Sequence, residues 1–317
     1  MTDSIDTAEI TAKGCRWVRI GDGRIVEYSV GGSTRADAHT LVAGYFAATS
    51  VVASWTAAYE ALNIRMINVS LPGLGCSSLH PGRKVADWPA NDLDPILQAE
   101  GVENFVVYGI SYGTIHSMAV AQHYGPARVL AMGLRVPYFG LPLSNELGLS
   151  DGQPRFPTTE AVRKNTLEAQ KWHFAMSESM GLAQDAADVE LDYPEELKAL
   201  QAATAEPAAR SYAALKRDYP EEAESMGSNT IDVNAMLYMM AKDVALDLPG
   251  LEPRDIELSG DRVVVWYAAD DEDCPPSHGA WLAEHFRAKT RVFDGYGHIG
   301  GAVIDHAKFI EELMSGA

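Results

Sequence analysis

The chain has 317 residues, 47% of them hydrophobic, which is enough for one large domain or for a domain that carries a substantial insertion. Its formal charge of -19 disfavours nucleic acid and anionic membrane surfaces as partners, and no apolar run is long enough to span a bilayer. The acidic first residues lack the apolar core of a signal peptide, so we expect a cytoplasmic location.

The first half of the chain alternates predicted strands with predicted helices. Residues 16–30 read as two short strands around Asp22-Gly23, a hairpin signal. Short, nearly continuous apolar runs then predict strands at Thr40–Gly44, Arg65–Val69, Phe105–Gly109 and Val129–Leu134, and helical patterns lie between them at Ser50–Ala61, Trp88–Gln98 and Tyr112–His123. Such runs are typical of strands buried on both faces, and the alternation with helices predicts a parallel sheet.

The alternation stops near residue 138 and resumes near residue 249. The intervening stretch contains helical patterns and few strand signals. Beyond it the sequence predicts a strand at Arg262–Tyr267, a helix at Ser277–Arg287, a strand at Arg291–Phe293 and one closing helix at Ala302–Met314. We therefore expect an α/β core domain formed by residues 1–137 and 249–317, interrupted by a helical insertion at 138–248.

The sequence matches the pattern G-x-S-x-G twice, at Ser111 and at Ser150. A nucleophilic serine on such a turn needs a buried strand before it and a helix after it. Ser111 has both, whereas Ser150 lies in a stretch rich in turn-forming residues that predicts a loop. We therefore take Ser111 as the candidate nucleophile.

A nucleophilic serine needs a base, and the base needs an acid that orients it. In α/β sheets both are expected after strands, at the carboxyl edge. The strand at 262–267 is followed by three candidate acids, Asp270, Asp271 and Asp273, and the last strand is followed by His298 in a glycine-rich segment that predicts a loop. Of the nine histidines, His298 alone occupies such a position, and the order Ser, Asp, His fits this type of turn.

Together these motifs resemble those of α/β-hydrolase-fold serine hydrolases of the lid-bearing, esterase-like kind. The resemblance is carried by Ser-Leu-Pro-Gly-Leu-Gly-Cys-Ser at 70–77, by Gly109–Gly113, by Asp271 with Pro275, and by Gly297-His298. It implies a mostly parallel central sheet flanked by helices, with residues 138–248 as a helical lid, or cap. In such families the acid lies three residues after a glycine and four before a proline; Ala268 replaces that glycine here, and the spacing selects Asp271, with Asp270 as the second candidate.

The segment expected to form the oxyanion hole departs from the family pattern. Relatives often carry His-Gly after the third strand, where this chain has Ala43-Gly44-Tyr45-Phe46. The resemblance assigns the backbone N–H groups of Tyr45 and Tyr112 to the hole. It also places Phe46 at the substrate pocket, although Tyr45 and Phe46 could instead only pack under the lid.

The lid is expected to contribute apolar substrate contacts through Trp172, Met176, Tyr238 and Met239, although apolar residues at helical spacing are more often core. The resulting hypothesis is a serine hydrolase for a neutral, small-molecule carboxylic ester, without metal or cofactor. A homodimer is one option for its assembly. The alternatives are a peptidase of the proline-iminopeptidase kind, a lactone or carbon–carbon bond hydrolase, and a non-catalytic ligand-binding member of the fold.

Overall fold

An eight-stranded sheet forms the centre of the molecule. The computed structural model describes residues 7–44, 53–78, 80, 84–149, 209–227 and 250–317. The strands are β1 (Arg16–Arg19), β2 (Ile25–Gly32), β3 (His39–Gly44), β4 (Ile64–Val69), β5 (Phe105–Ile110), β6 (Val129–Arg135), β7 (Val263–Ala268) and β8 (Lys289–Phe293). Every strand predicted from the sequence is present.

The strand order across the sheet is β1-β2-β4-β3-β5-β6-β7-β8. β1 and β2 form the predicted antiparallel hairpin, and β2 also pairs antiparallel with β4. All other neighbours pair in parallel. The carboxyl ends of β3, β5, β6, β7 and β8 therefore lie along one edge of the sheet, where a site is expected in this architecture.

Helices cover both faces of the sheet. They are α1 (Thr7–Ala12), α2 (Ala53–Ala61), α3 (Asp94–Ala99), α4 (Gly113–Arg128), α5 (Leu141–Glu146), α6 (helical residues 209–218), α7 (Pro220–Gly227), α8 (Pro276–Phe286), α9 (Gly297–Val303) and α10 (His306–Met314). One buried cluster includes Ile115 and Met118 of α4, and the opposite one includes Phe309 of α10 and Tyr59 of α2. Apolar burial on both faces explains why the strand sequences are nearly continuous apolar runs.

The sequence predicted one closing helix at Ala302–Met314; the closing helix is present as α10, but it begins at His306, and Ala302 and Val303 belong to α9. Two helices, α9 and α10, occupy residues 297–314, and the backbone between them turns at Asp305, which has the left-handed values φ 55° and ψ 38°. The Arg135 side chain donates to the carbonyls of Gly301 and Ile304 at the end of α9. The carbonyls at the end of α9 thus accept from a side chain of a distant strand, and local sequence patterns do not encode this contact.

The predicted insertion falls mainly outside the described residues. Of its span, the structure describes α5, α6, α7 and the residues beside them. The division into a core and a cap at 138–248 therefore stays a prediction. No helix within the described ranges is both long enough and apolar enough to cross a membrane.

Candidate active site

Ser111 lies on a tight turn between β5 and α4. β5 is buried at every position, and its chain reverses at Ser111, whose backbone has φ 52°. A Cβ atom on Gly109 would lie 2.4 Å from the Gly113 carbonyl oxygen, and one on Gly113 would lie 2.8 Å from that of Gly44. Both contacts are too short for a side chain, so the two glycines of the motif are required by close backbone approach.

His298 reaches Ser111 from the start of α9. Its Nε2 atom lies 2.8 Å from Ser111 Oγ. The sequence predicted a glycine-rich loop here, and this was wrong, because His298 is the second residue of α9. The glycines instead allow α9 to pack closely: a Cβ on Gly301 would lie 2.7 Å from Val136 Cγ1.

Asp271 contacts the other nitrogen of His298. Its Oδ2 atom lies 2.8 Å from Nδ1, while Oδ1 accepts from the backbone N–H groups of Asp273 and Cys274, each at 2.8 Å. A carboxylate can only accept, so Nδ1–H donates to it and Nε2 is left to accept from the Ser111 hydroxyl. Asp270 is exposed and accepts from the Gly297 N–H at 3.1 Å. The structure thus brings Asp271, rather than its neighbour, to His298.

The surroundings of His298 stabilise the protonated form of its imidazole. Burial disfavours its charged form, but the adjacent Asp271 carboxylate outweighs burial, and the pKa of His298 is raised well above its usual value. A histidine that gains a proton next to a carboxylate is suited to act as a general base toward Ser111.

Cys274 lies beside the serine, which sequence reasoning did not predict. Its Sγ atom is 4.0 Å from Ser111 Oγ, and its side chain is buried. Burial raises the pKa of the Cys274 thiol, so it stays protonated and is a poor competing nucleophile. The sequence signal was its position three residues after Asp271, within the acid-bearing loop.

Within the part of the chain that the structure describes, one group of side chains has the composition of a cation site. Asp271, Asp273 and His298 each offer a ligand atom, and these atoms lie within 4.8 Å of one another. Nδ1 of His298 already contacts Asp271, so a metal ion there would have to replace that hydrogen bond. The donor set fits a His–Asp pair better than a metal centre.

Several other predicted site residues lie outside the described residues: Tyr45, Phe46, Trp172, Met176, Tyr238 and Met239. Ser150, the second G-x-S-x-G match, lies outside them as well. Tyr112 is described. It directly follows Ser111 and directly precedes α4, and its side chain is buried. Gly44, which precedes Tyr45 in the sequence, lies next to Gly113 of the turn.

Comparison with known proteins agrees with this architecture. Residues 52–302 match the family model described as alpha/beta hydrolase fold, and the chain belongs to this family. No curated protein matches the sequence.

Solved structures with a similar fold include several hydrolases at low sequence identity. The esterase RhEst1 from Rhodococcus sp. ECU1013 is 18% identical, with a TM-score of 0.56 over 95% of this chain and 97% of its own. A thermophilic esterase from Thermogutta terrifontis is 16% identical, with a TM-score of 0.56 over 95% of this chain and 98% of its own. An enol-lactonase from Burkholderia xenovorans LB400 is 14% identical, with a TM-score of 0.53 over 95% of this chain and 100% of its own. At these identities the likeness supports the fold alone.

Proposed function

We propose that the protein is a serine hydrolase that cleaves a neutral carboxylic ester through an acyl-enzyme. The observation that carries the proposal is the chain of two 2.8 Å contacts from Ser111 Oγ to His298 Nε2 and from His298 Nδ1 to Asp271 Oδ2. Nucleophile, base and orienting acid in this order form a catalytic triad. The family supports a hydrolase, and the ester specificity is our inference.

In the proposed first step, Ser111 Oγ bonds to the ester carbonyl carbon while His298 Nε2 takes the hydroxyl proton. His298 then gives that proton to the departing alcohol, and the carbonyl re-forms as the acyl group on Ser111. In the second step, His298 takes a proton from water as the water attacks the acyl group, and it returns the proton to Ser111 as the acid leaves. Asp271 holds the imidazole tautomer and stabilises the imidazolium.

The oxyanion formed in each step needs hydrogen-bond donors. We assign this role to the backbone N–H groups of Tyr112 and Tyr45. Tyr112 is the residue after Ser111 and lies at the amino end of α4, where the helix dipole favours a developing negative charge. Preorganised donors of this kind can each contribute about 3–4 kcal/mol to transition-state stabilisation.

The charges around His298 favour a neutral substrate. A cavity of about 190 Å³ opens beside His298, and its lining includes Asp270, Glu272 and Asp273. Three carboxylates repel an anionic ligand, and Arg210 pairs with one of them, Glu272. We therefore propose a substrate without a carboxylate or phosphate close to the scissile bond.

The same carboxylates keep a second candidate function open. They could pair with the free amino group of a peptide, as a peptidase with this triad requires. Turnover of aminoacyl p-nitroanilides at a higher kcat/KM than p-nitrophenyl esters would favour the peptidase over the esterase.

The proposed function is tested by removing the nucleophile. We expect Ser111→Ala to fold normally and to lose turnover of p-nitrophenyl acetate by at least about 10³-fold, because the whole triad acts through this hydroxyl. Ser150→Ala, which alters the second G-x-S-x-G match, is the control and should retain the wild-type rate. Full activity of Ser111→Ala would overturn the assignment.

A further inference from the structure

Helix α6 contacts the loop that carries the proposed acid and the start of α9, which carries the proposed base. Arg210 donates to Glu272, the residue after Asp271, at 2.5 Å. Ser211 contacts the backbone around His298, and Arg210, Ser211, Glu272 and His298 all line the cavity of about 190 Å³. The ion pair is exposed on both sides and therefore contributes little to stability, so we focus on Ser211.

The Ser211 hydroxyl makes three contacts with the segment 296–300. It donates to the Tyr296 carbonyl and accepts from the N–H groups of Ile299 at 2.9 Å and Gly300 at 3.3 Å. Ser211 is only 6% exposed. Because the hydroxyl binds the residues on both sides of His298, the position of α6 and the position of the imidazole are linked.

Close packing between α6 and the His298 segment supports this link. Gly297 has φ 56°, and a Cβ atom there would lie 3.1 Å from Cβ and from Oγ of Ser211. The rings of Tyr219, just after α6, and Tyr296 meet edge to face with centroids 5.5 Å apart. Asp270, from the core, accepts from the Gly297 N–H. The start of α9 is therefore held from two sides, by the core loop and by the insertion.

We propose that Ser211 is a positioning residue, which fixes the start of α9 so that His298 reaches both Ser111 and Asp271, and which couples the predicted lid to the catalytic machinery. The proposal rests on the function proposed above. Ser211 does not touch the reacting atoms. Its effect would be exerted through the backbone at 296–300, where a displacement of about 1 Å is enough to cost two orders of magnitude in rate.

The kinetic test compares Ser211→Ala with two further variants. We expect Ser211→Ala to lower kcat for p-nitrophenyl acetate about 10- to 100-fold with KM within about twofold, since the base is misplaced while the binding surface is kept. Ser211→Thr keeps a hydroxyl and should restore kcat to within about threefold of wild type.

Ser33→Ala is the matched structural control. Ser33 is 7% exposed, and its hydroxyl likewise donates once, to Asn63, and accepts from a backbone N–H, that of Arg35. It lies beside Ile64, at the edge of the sheet opposite to Ser111. Ser33→Ala should lower the free energy of unfolding about as much as Ser211→Ala does, and it should leave kcat unchanged. The proposal would be overturned if kcat of Ser211→Ala were within twofold of wild type, or if Ser33→Ala lowered kcat as much as Ser211→Ala.

A second readout does not depend on ester turnover. In protein labelled with ¹⁵N-histidine, the pH titration of His298 reports its contact with Asp271, and the nearby Asp273 and Cys274 are unchanged by the substitution. We expect the His298 pKa to fall in Ser211→Ala and to recover in Ser211→Thr. An unchanged titration would contradict the positioning role even if Ser111→Ala had kept its activity and the proposed function had failed.

Discussion

Asp270 and Asp271 are adjacent in the chain, yet their carboxylates have different partners. Asp271 is buried and binds two backbone N–H groups as well as His298. Asp270 is exposed and binds only the Gly297 N–H among the contacts of the described residues. The spacing to Pro275 favoured Asp271 in the sequence. The geometry adds a physical reason, since two backbone N–H groups fix Oδ1 and thereby orient Oδ2 toward the imidazole.

These environments predict different effects of the two amide substitutions. We expect Asp271→Asn to lower kcat/KM about 10³- to 10⁴-fold, because an amide no longer fixes the tautomer of His298. Asp270→Asn keeps an acceptor for Gly297 and should stay within about threefold of wild type. Steady-state kinetics of the two purified variants with p-nitrophenyl acetate separates them. Equal losses would show that Asp271 has no special role.

The pH profile provides a further check on the same pair. His298 must be neutral to act as a base, and its pKa is raised by Asp271, so activity should fall as pH drops through a midpoint above about 6.5. In the residual activity of Asp271→Asn, that midpoint should move to lower pH. A midpoint that is the same in both proteins would contradict this reading.

At the level of secondary structure elements, Arg135 links the two halves of the candidate site. Its backbone carbonyl accepts from the Ser111 N–H at 2.8 Å. Its guanidinium, fully buried, donates to the carbonyls of Gly301 and Ile304 that end α9. It also lies over the rings of Trp266 and Phe309, 5.4 and 5.3 Å from their centroids. The turn at Ser111 and the helix that carries His298 are thus both in contact with Arg135.

The planar guanidinium of Arg135 makes its contacts with these carbonyls and rings, and a lysine ammonium cannot reproduce them. We expect Arg135→Lys to lower the free energy of unfolding by about 3 kcal/mol, since at least one buried carbonyl loses its charged donor. Arg291→Lys is the control, because Arg291 is partly exposed and pairs with Asp305 at the surface; its cost should be below about 1 kcal/mol. Urea unfolding measures both, and equal values would contradict this expectation.

Across the whole molecule, the sequence predicted what local patterns encode. Buried parallel strands appear as apolar runs, and the turn at Ser111 has a five-residue pattern that can be read from the sequence, although the steric reason for Gly113 comes from the distant Gly44. The break between α9 and α10 and the contact of Ser211 with Ile299 could not be predicted, because each depends on side chains that are far apart in the chain. The sequence shows a cysteine at position 274, but its place next to Ser111 follows only from the folded loop.

His306 predicts how the stability of the whole fold depends on pH. It is buried, stacks on Trp55 with centroids 3.8 Å apart and contacts the Tyr59 hydroxyl at 2.9 Å. Burial lowers its pKa well below the usual value, with a smaller contribution from Arg135. The unfolded chain therefore binds a proton that the folded protein does not, and stability is lost as pH falls below about 6.5.

We expect this single site to contribute about 1.4 kcal/mol of lost stability per pH unit below that point. His306→Phe should be less stable at pH 8, since its hydrogen bond with the Tyr59 hydroxyl is lost. In acid, the loss of stability of this variant should lack the contribution from His306. His39→Gln, at an exposed position, should keep the wild-type slope. Urea titrations between pH 8 and pH 5 provide the comparison; an unchanged slope in His306→Phe would show that His306 is not the source.

The central claim is that His298 activates Ser111 as a nucleophile, and covalent trapping tests it most directly. The protein is incubated with a fluorophosphonate, and the adduct is located by peptide mass spectrometry. We predict one adduct, on Ser111, with labelling at least about 10²-fold slower in His298→Ala. An adduct on another residue, or equal labelling rates in the wild type and in His298→Ala, would contradict the account.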